Sequence, residues 1–173
     1  ADIAKELAKL QDNVPAFPAE QAKQAIEKAF DQPAEQVFKS FEADAFASAS
    51  IAQAHLAQLH TGEEVVVKIL RPGIMAAIEQ DMQILFVLAR LVEKYSQEGR
   101  RLMPLEVVGD YQKVVHNELD LMREAANCAQ IGRNWEGSDI IRVPTIHWDY
   151  CRHNILVQER IHGIPINDID GLS

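Results

Sequence analysis

Apolar positions along this chain follow two periods. From Ile74 onward, Ile78, Met82, Leu85, Ala89 and Val92 recur at steps of three and four, which marks one face of a helix running to about Tyr95. The same spacing returns after Pro104 at Val108, Tyr111, Val115, Leu119, Met122, Ala126 and Ala129, and predicts one long helix over about 104–133. Residues 2–12 and 18–30 read as shorter helices, and Pro18 suits a first helical turn. Between these helical segments the pattern changes. Phe38, Phe41 and Phe46 lead into the small-residue run Ala47-Ser48-Ala49-Ser50, then Ile51 to Ala57, a Thr61-Gly62 turn and the β-branched run Val65-Val66-Val67-Lys68, closed by Pro72-Gly73. This reads as strand, tight turn, strand, turn, strand. Ile140-Ile141-Arg142-Val143-Pro144 and Ile155-Leu156-Val157-Gln158-Glu159 read as two more strands joined through Trp148-Asp149-Tyr150, and residues 96–101 as a polar connection.

The predicted class is therefore α+β. A helical extension over residues 1–40 precedes a five-stranded, mostly antiparallel sheet, with strands over about 41–71 and 140–160 and helices over about 74–95 and 104–133 inserted after the third strand.

Alternation along the lysine strand puts Val66, Lys68 and Leu70 on one face and Val65, Val67 and Ile69 on the other. One charge thus points where its neighbours are apolar. Two readings fit. Lys68 either snorkels its head into solvent at a strand end, or meets a phosphate or carboxylate that offsets the cost of leaving water. The turn at residues 47–50 has two readings as well. Small side chains let a backbone approach a ligand and turn its amides toward phosphate oxygens, or they simply pack beneath a helix. Without glycine, such a turn is stiffer than a glycine-rich loop. On the long helix, Asp120 and Glu124 fall roughly opposite the apolar stripe while Glu118 borders it, so the helix either shows a solvated acidic face or bends near Asp120 to bury both sides.

Composition narrows the field. The 173 residues are 47% hydrophobic and carry a formal net charge of −9, enough apolar content for one modest core and the wrong sign for a nucleic-acid partner. Cys128 and Cys151 lack metal spacing and read as reduced thiols of a cytoplasmic protein. The six histidines are scattered without ligand spacing, so no metal site is expected. No run of 18 apolar residues occurs, and the fragment itself is expected to be soluble.

Four segments together carry a resemblance: Ala47-Ser48-Ala49-Ser50-Ile51-Ala52-Gln53-Ala54-His55, Val65-Val66-Val67-Lys68-Ile69-Leu70-Arg71-Pro72-Gly73, Glu118-Leu119-Asp120-Leu121-Met122-Arg123-Glu124, and Glu159-Arg160-Ile161-His162-Gly163-Ile164-Pro165. In order and spacing they resemble the UbiB family, atypical protein-kinase-like proteins of ubiquinone biosynthesis. The resemblance implies the N-terminal lobe of a kinase-like fold with a hinge at 159–165. It implies ATP or ADP as ligand, with Lys68 on the phosphates and Glu124 pairing with that lysine. Ala47, Ser48, Ala49 and Ser50 match the family's alanine-rich loop, with Ser48 departing from the commoner alanine. Glu118 and Asp120 match a Glu-x-Asp motif of regulatory character, Glu159 and Ile161 match the hinge backbone that holds adenine, and Gln158 matches the gatekeeper position.

The resemblance further implies a parent protein at the cytoplasmic side of the inner membrane, associated through regions absent here. Quinone precursors or proteins of ubiquinone biosynthesis are then possible partners. No Asp-Phe-Gly, no catalytic-loop sequence and no Lys-x-Gly-Gln motif occurs, so the chain resembles a fragment that is inactive alone, and magnesium is expected only in the intact protein. The alternative reading is a non-catalytic module that binds a lipid or a partner of the quinone machinery.

Overall fold

The computed structural model describes residues 15–164. The expected helix over residues 2–12 and Pro165 of the hinge lie outside them. Helix α1 spans Ala19–Phe30, α2 Ala34–Val37, α3 Ile74–Tyr95, α4 Gln97–Arg101, α5 Pro104–Glu118 and α6 Leu121–Asn134. Strands β1 to β5 span Ser40–Phe41, Ala47–Ser48, Ala52–Gln58, Glu64–Leu70 and Ile155–Glu159, with a 3-10 turn at Trp148–Tyr150. The order in the sheet is β1-β3-β4-β5, with β2 also pairing β3, and every pairing is antiparallel.

Register sorts the strands into two faces. Gln53, Ile69 and Ile155 form one row and His55, Val67 and Val157 the next, all buried. This is the core face. It packs with Ala22 and Ile26 of α1, Val37 of α2 and Phe38 in one cluster, with Phe38 against Tyr150 at 5.9 Å and Phe41 stacked on His55 at 4.8 Å. The opposite face carries the row Ala47, Ala54, Lys68, Leu156, flanked by Val66 and Gln158.

The core face holds a polar pair at its centre. Gln53 Oε1 accepts from Phe17 N–H at 3.0 Å, while its amide nitrogen donates to His55 Nε2 at 2.7 Å. With that nitrogen accepting, Nδ1 carries the proton and donates to Glu42 C=O at 2.9 Å. The buried imidazole is thereby fully paired as the neutral base. Burial holds its pKa below the ordinary histidine value, against opposing pulls from the Glu42 carbonyl and Asp44.

Four expectations need correction. The long helix over 104–133 is two helices, because Asp120 leaves helical geometry (φ −105°, ψ 95°) and its carboxylate accepts from Met122 N–H at 3.0 Å, capping α6. Residues 96–101 are no plain connection, since Ser96 caps the short helix α4 through Gly99 N–H at 2.9 Å. Residues 140–144 form no strand. Backbone pairing with β5 begins only past this segment, at the Thr145–Glu159 bond and the Ile146–Gln158 bridge, while Arg142 is held by the Glu159 side chain. Finally, Ala47 and Ser48 lie in strand β2, which moves the turn to residues 49–51.

Candidate functional site

Lys68 sits in the middle of β4, where the β-branched run keeps the strand extended and Ala54 on β3 and Leu156 on β5 flank it. Across the opposite face of the sheet from the core lies α6, whose first turn presents Glu124 one turn beyond the Asp120 cap. Lys68 Nζ donates to both oxygens of that carboxylate, at 2.8 and 2.7 Å. The two residues are 56 positions apart in sequence, and the helix cap aims one at the other. Their side chains remain 33% and 45% exposed, so the pair borders open space.

Asp120 has a second contact, to His153 Nδ1 at 3.1 Å, and Leu121 N–H donates to His153 C=O at 2.9 Å. Its observed work is to fix where α6 begins. Glu118, at the end of α5, does not join the Lys68 pair. It lines a groove of about 440 Å³ between α3 and α5 together with Asp81, Met82, Tyr111 and Ile51.

The small-residue segment lies beside the pair. Ala47 shares the row of Lys68 through Ala54, and the chain then turns through Ala49, Ser50 and Ile51 into β3. No residue of this turn adopts positive φ; among the described residues the non-glycine positions that do are Asp31 and Met103. The turn is therefore built in ordinary backbone conformations, without the strain that positive φ imposes on alanine or serine.

On β5, Gln158 faces the same side as Lys68, one row beyond Leu156 on that face. The Glu159 carboxylate turns back to accept from Thr145 N–H at 3.1 Å and from the Arg142 guanidinium. Those two donors hold its pKa below the usual carboxylate range. Glu159 N–H donates to Thr145 C=O at 2.8 Å, so its peptide groups lie on the side of the strand away from β4. Among the described residues nothing donates to the Glu159 carbonyl or accepts from Ile161 N–H. The structure thus gathers Lys68, Glu124, Ala47 and Gln158 on one side of the sheet, turns Ser48 to the other side in register with Gln53, leads through Ala49 and Ser50 into the turn, places Glu159 and Ile161 at the sheet edge, and sets Glu118 apart. Sequence reasoning passed over Arg71, whose guanidinium reaches Ser48 and Ala49; the run Leu70-Arg71-Pro72 carries no local sign of that contact.

Comparison with known proteins gives a consistent answer. Residues 9–173 match the family model described as ABC1 atypical kinase-like domain. Proteins named "Probable protein kinase UbiB" from Marinobacter nauticus, Pseudomonas aeruginosa and Pseudomonas fluorescens are 53%, 54% and 50% identical over 99% of this chain. The chain spans about a third of the length of these relatives, 31% to 32%. A Mycobacterium tuberculosis protein solved as a complex with erythromycin superposes over 90% of this chain and 38% of its own, with a TM-score of 0.77 at 26% identity.

Proposed function

This chain belongs to the ABC1 atypical kinase-like family and is a UbiB-like domain, and from that premise we propose that it is the nucleotide-binding lobe of an atypical kinase or ATPase that supports ubiquinone biosynthesis. The observation that carries this reading is the two-pronged Lys68–Glu124 contact between the sheet and α6, at the border of open space. A lysine so placed holds α and β phosphates, and a helix glutamate keeps it extended toward them. The main chain of the turn at residues 49–51 covers the phosphates, through the amides of Ser50 and Ile51. The Glu159 carbonyl and Ile161 N–H hold adenine at the sheet edge, with Gln158 behind it. Asp120, as cap of α6, sets the position of Glu124, and Glu118 faces the groove through which access to the cleft is regulated.

Phosphoryl transfer also needs an acceptor-orienting aspartate and magnesium ligands, which kinase-like proteins carry in the second lobe. Among the described residues no group of three or more His, Cys, Asp and Glu is placed to hold a metal. Magnesium and turnover are part of the proposal for a protein of the relatives' full length, as is attachment at the cytoplasmic side of the inner membrane. Among the described residues no helix is long and apolar enough to cross a membrane.

Thermal shift tests the reading. ADP or ATP raises the melting temperature of the wild-type chain, and Lys68→Ala abolishes the rise. A second reading, a module that binds a quinone precursor or a partner protein, is favoured by one observation: Ile84, Leu88 and Leu91 on α3 and Val107, Tyr111 and Val114 on α5 are exposed. A response to an isoprenoid phenol with none to nucleotide would select it.

A further inference from the structure

Between β2 and β3 only Ser50 and Ile51 separate the partners Ala49 and Ala52. Two-residue hairpin loops ordinarily close with positive φ at one or both loop residues, hence their preference for glycine. This loop has neither glycine nor positive φ. It closes by half: Ala49 N–H donates to Ala52 C=O at 2.8 Å, but among the described residues the return bond from Ala52 N–H to Ala49 C=O is not made. The Ala49 carbonyl accepts instead from Arg71, from Nε at 3.1 Å and Nη2 at 3.0 Å. Arg71 N–H also donates to Ile51 C=O at 2.9 Å, so both flanks of the turn are held by one residue.

The same guanidinium reaches further. It donates to Ser48 Oγ at 3.1 Å and to Pro15 C=O at 2.8 Å, and it lies 5.7 Å from the centre of the Phe17 ring. Phe17 is itself anchored to the sheet through both polar groups of the Gln53 amide. A planar fork of donors suits three acceptors fixed around it; a lysine ammonium, a point charge on a flexible stem, does not.

We propose that Arg71 is the positioning residue of the turn at residues 49–51: its guanidinium replaces the closing bond that a glycine loop makes for itself, and makes the segment at Pro15 and Phe17 a determinant of nucleotide affinity at Lys68. The inference rests on the reading of that turn as nucleotide-facing. It assigns Arg71 no contact with the nucleotide. Tightening or releasing the N-terminal segment changes the turn, and the turn changes how well its amides meet phosphate.

Amide hydrogen exchange and calorimetry with ADP and ATP, on wild type, Arg71→Lys and Arg71→Ala, test it. Exchange at Ala49, whose N–H is bonded to Ala52 C=O, is expected to rise about tenfold in Arg71→Ala as the turn loosens without the charged donors on the Ala49 carbonyl, while Val67 stays protected. Nucleotide affinity falls by a similar factor and the ADP-to-ATP ratio changes. Arg71→Lys recovers only part of either. Ile26→Val, which loosens the core away from the turn, lowers the melting temperature with the ratio unchanged. Unaltered Ala49 exchange in Arg71→Ala overturns the proposal, as does a ratio that moves equally in Ile26→Val. If Arg71→Ala does not fold, full Ala49 protection in Arg71→Lys overturns it in the same way. Wild type that binds no nucleotide, with Ala49 exchange still raised in the variants, upholds the clamp and removes the nucleotide reading instead.

Discussion

The Lys68–Glu124 pair keeps the lysine extended toward a phosphate while it borders solvent, and its strength follows from the structure. Two unit charges about 3 Å apart attract by about 1.4 kcal/mol in water and about 5.5 kcal/mol at an effective dielectric constant of about 20. With a third of the lysine side chain and nearly half of the glutamate side chain exposed, the environment lies toward the aqueous limit. Ordering two long side chains opposes the attraction, and exposed pairs retain about 0.2–1 kcal/mol. The expected coupling is thus about 1 kcal/mol, toward the upper end because the contact has two prongs. A double-mutant cycle of Lys68→Met, Glu124→Gln and the double variant, followed by urea unfolding, measures it. Raising salt from about 0.05 M to about 0.5 M should shrink the coupling further, since solvent reaches both groups. A coupling of about 3 kcal/mol or more that ignores salt is the behaviour of a buried structural pair. That outcome refutes the argument, because a pair so enclosed does not border the open space that a ligand needs.

Other expectations are simpler. Asp120→Ala removes the α6 cap and should cost about 1 kcal/mol in urea unfolding, with Asp120→Asn close to wild type; an equal loss in both variants points to the His153 contact instead. His55 has its pKa lowered on folding, so the unfolded chain binds more protons below the ordinary histidine value, and stability falls as pH drops through that value toward the folded one. Between about pH 7.5 and pH 5.5, unfolding free energy of the wild type should therefore drop more steeply than that of His55→Gln, by at most about 1.4 kcal/mol per pH unit; parallel slopes contradict the buried neutral imidazole. Glu159 has the opposite consequence in the acid range: its lowered pKa stabilises the fold above the ordinary carboxylate value and the benefit disappears as pH falls through the folded value. Glu159→Gln should flatten the acid limb of the melting profile. Ala49→Gly relieves no strain, because the turn has no positive φ, and should lower stability by about 0.5–1 kcal/mol through unfolded-chain entropy; a gain in melting temperature speaks against that conformation.

Periodicity alone determined the helix at residues 74–95 and the faces of the central strands. Helix α3 falls at Ile74–Tyr95 because its apolar spacing admits one solution, and Lys68 lies opposite Val67 and Ile69 because alternate residues of any strand must. The break at Asp120 was only half legible. The stripe Val115, Leu119, Met122, Ala126 runs straight through it, and a carboxylate caps a helix only where the chain around it lets the ladder end. Residues 140–144 have strand composition, but a strand needs a paired neighbour, and here the Glu159 side chain holds Arg142 in place of a ladder. The contact of Lys68 with Glu124, 56 residues away, was legible only through the family resemblance, and what only tertiary structure decided is a contact such as that of Arg71 with Pro15, also 56 away. Local sequence sets which conformations a segment prefers. Which charges meet depends on how the packed faces orient whole elements, and that is decided by burial of the core shared between them.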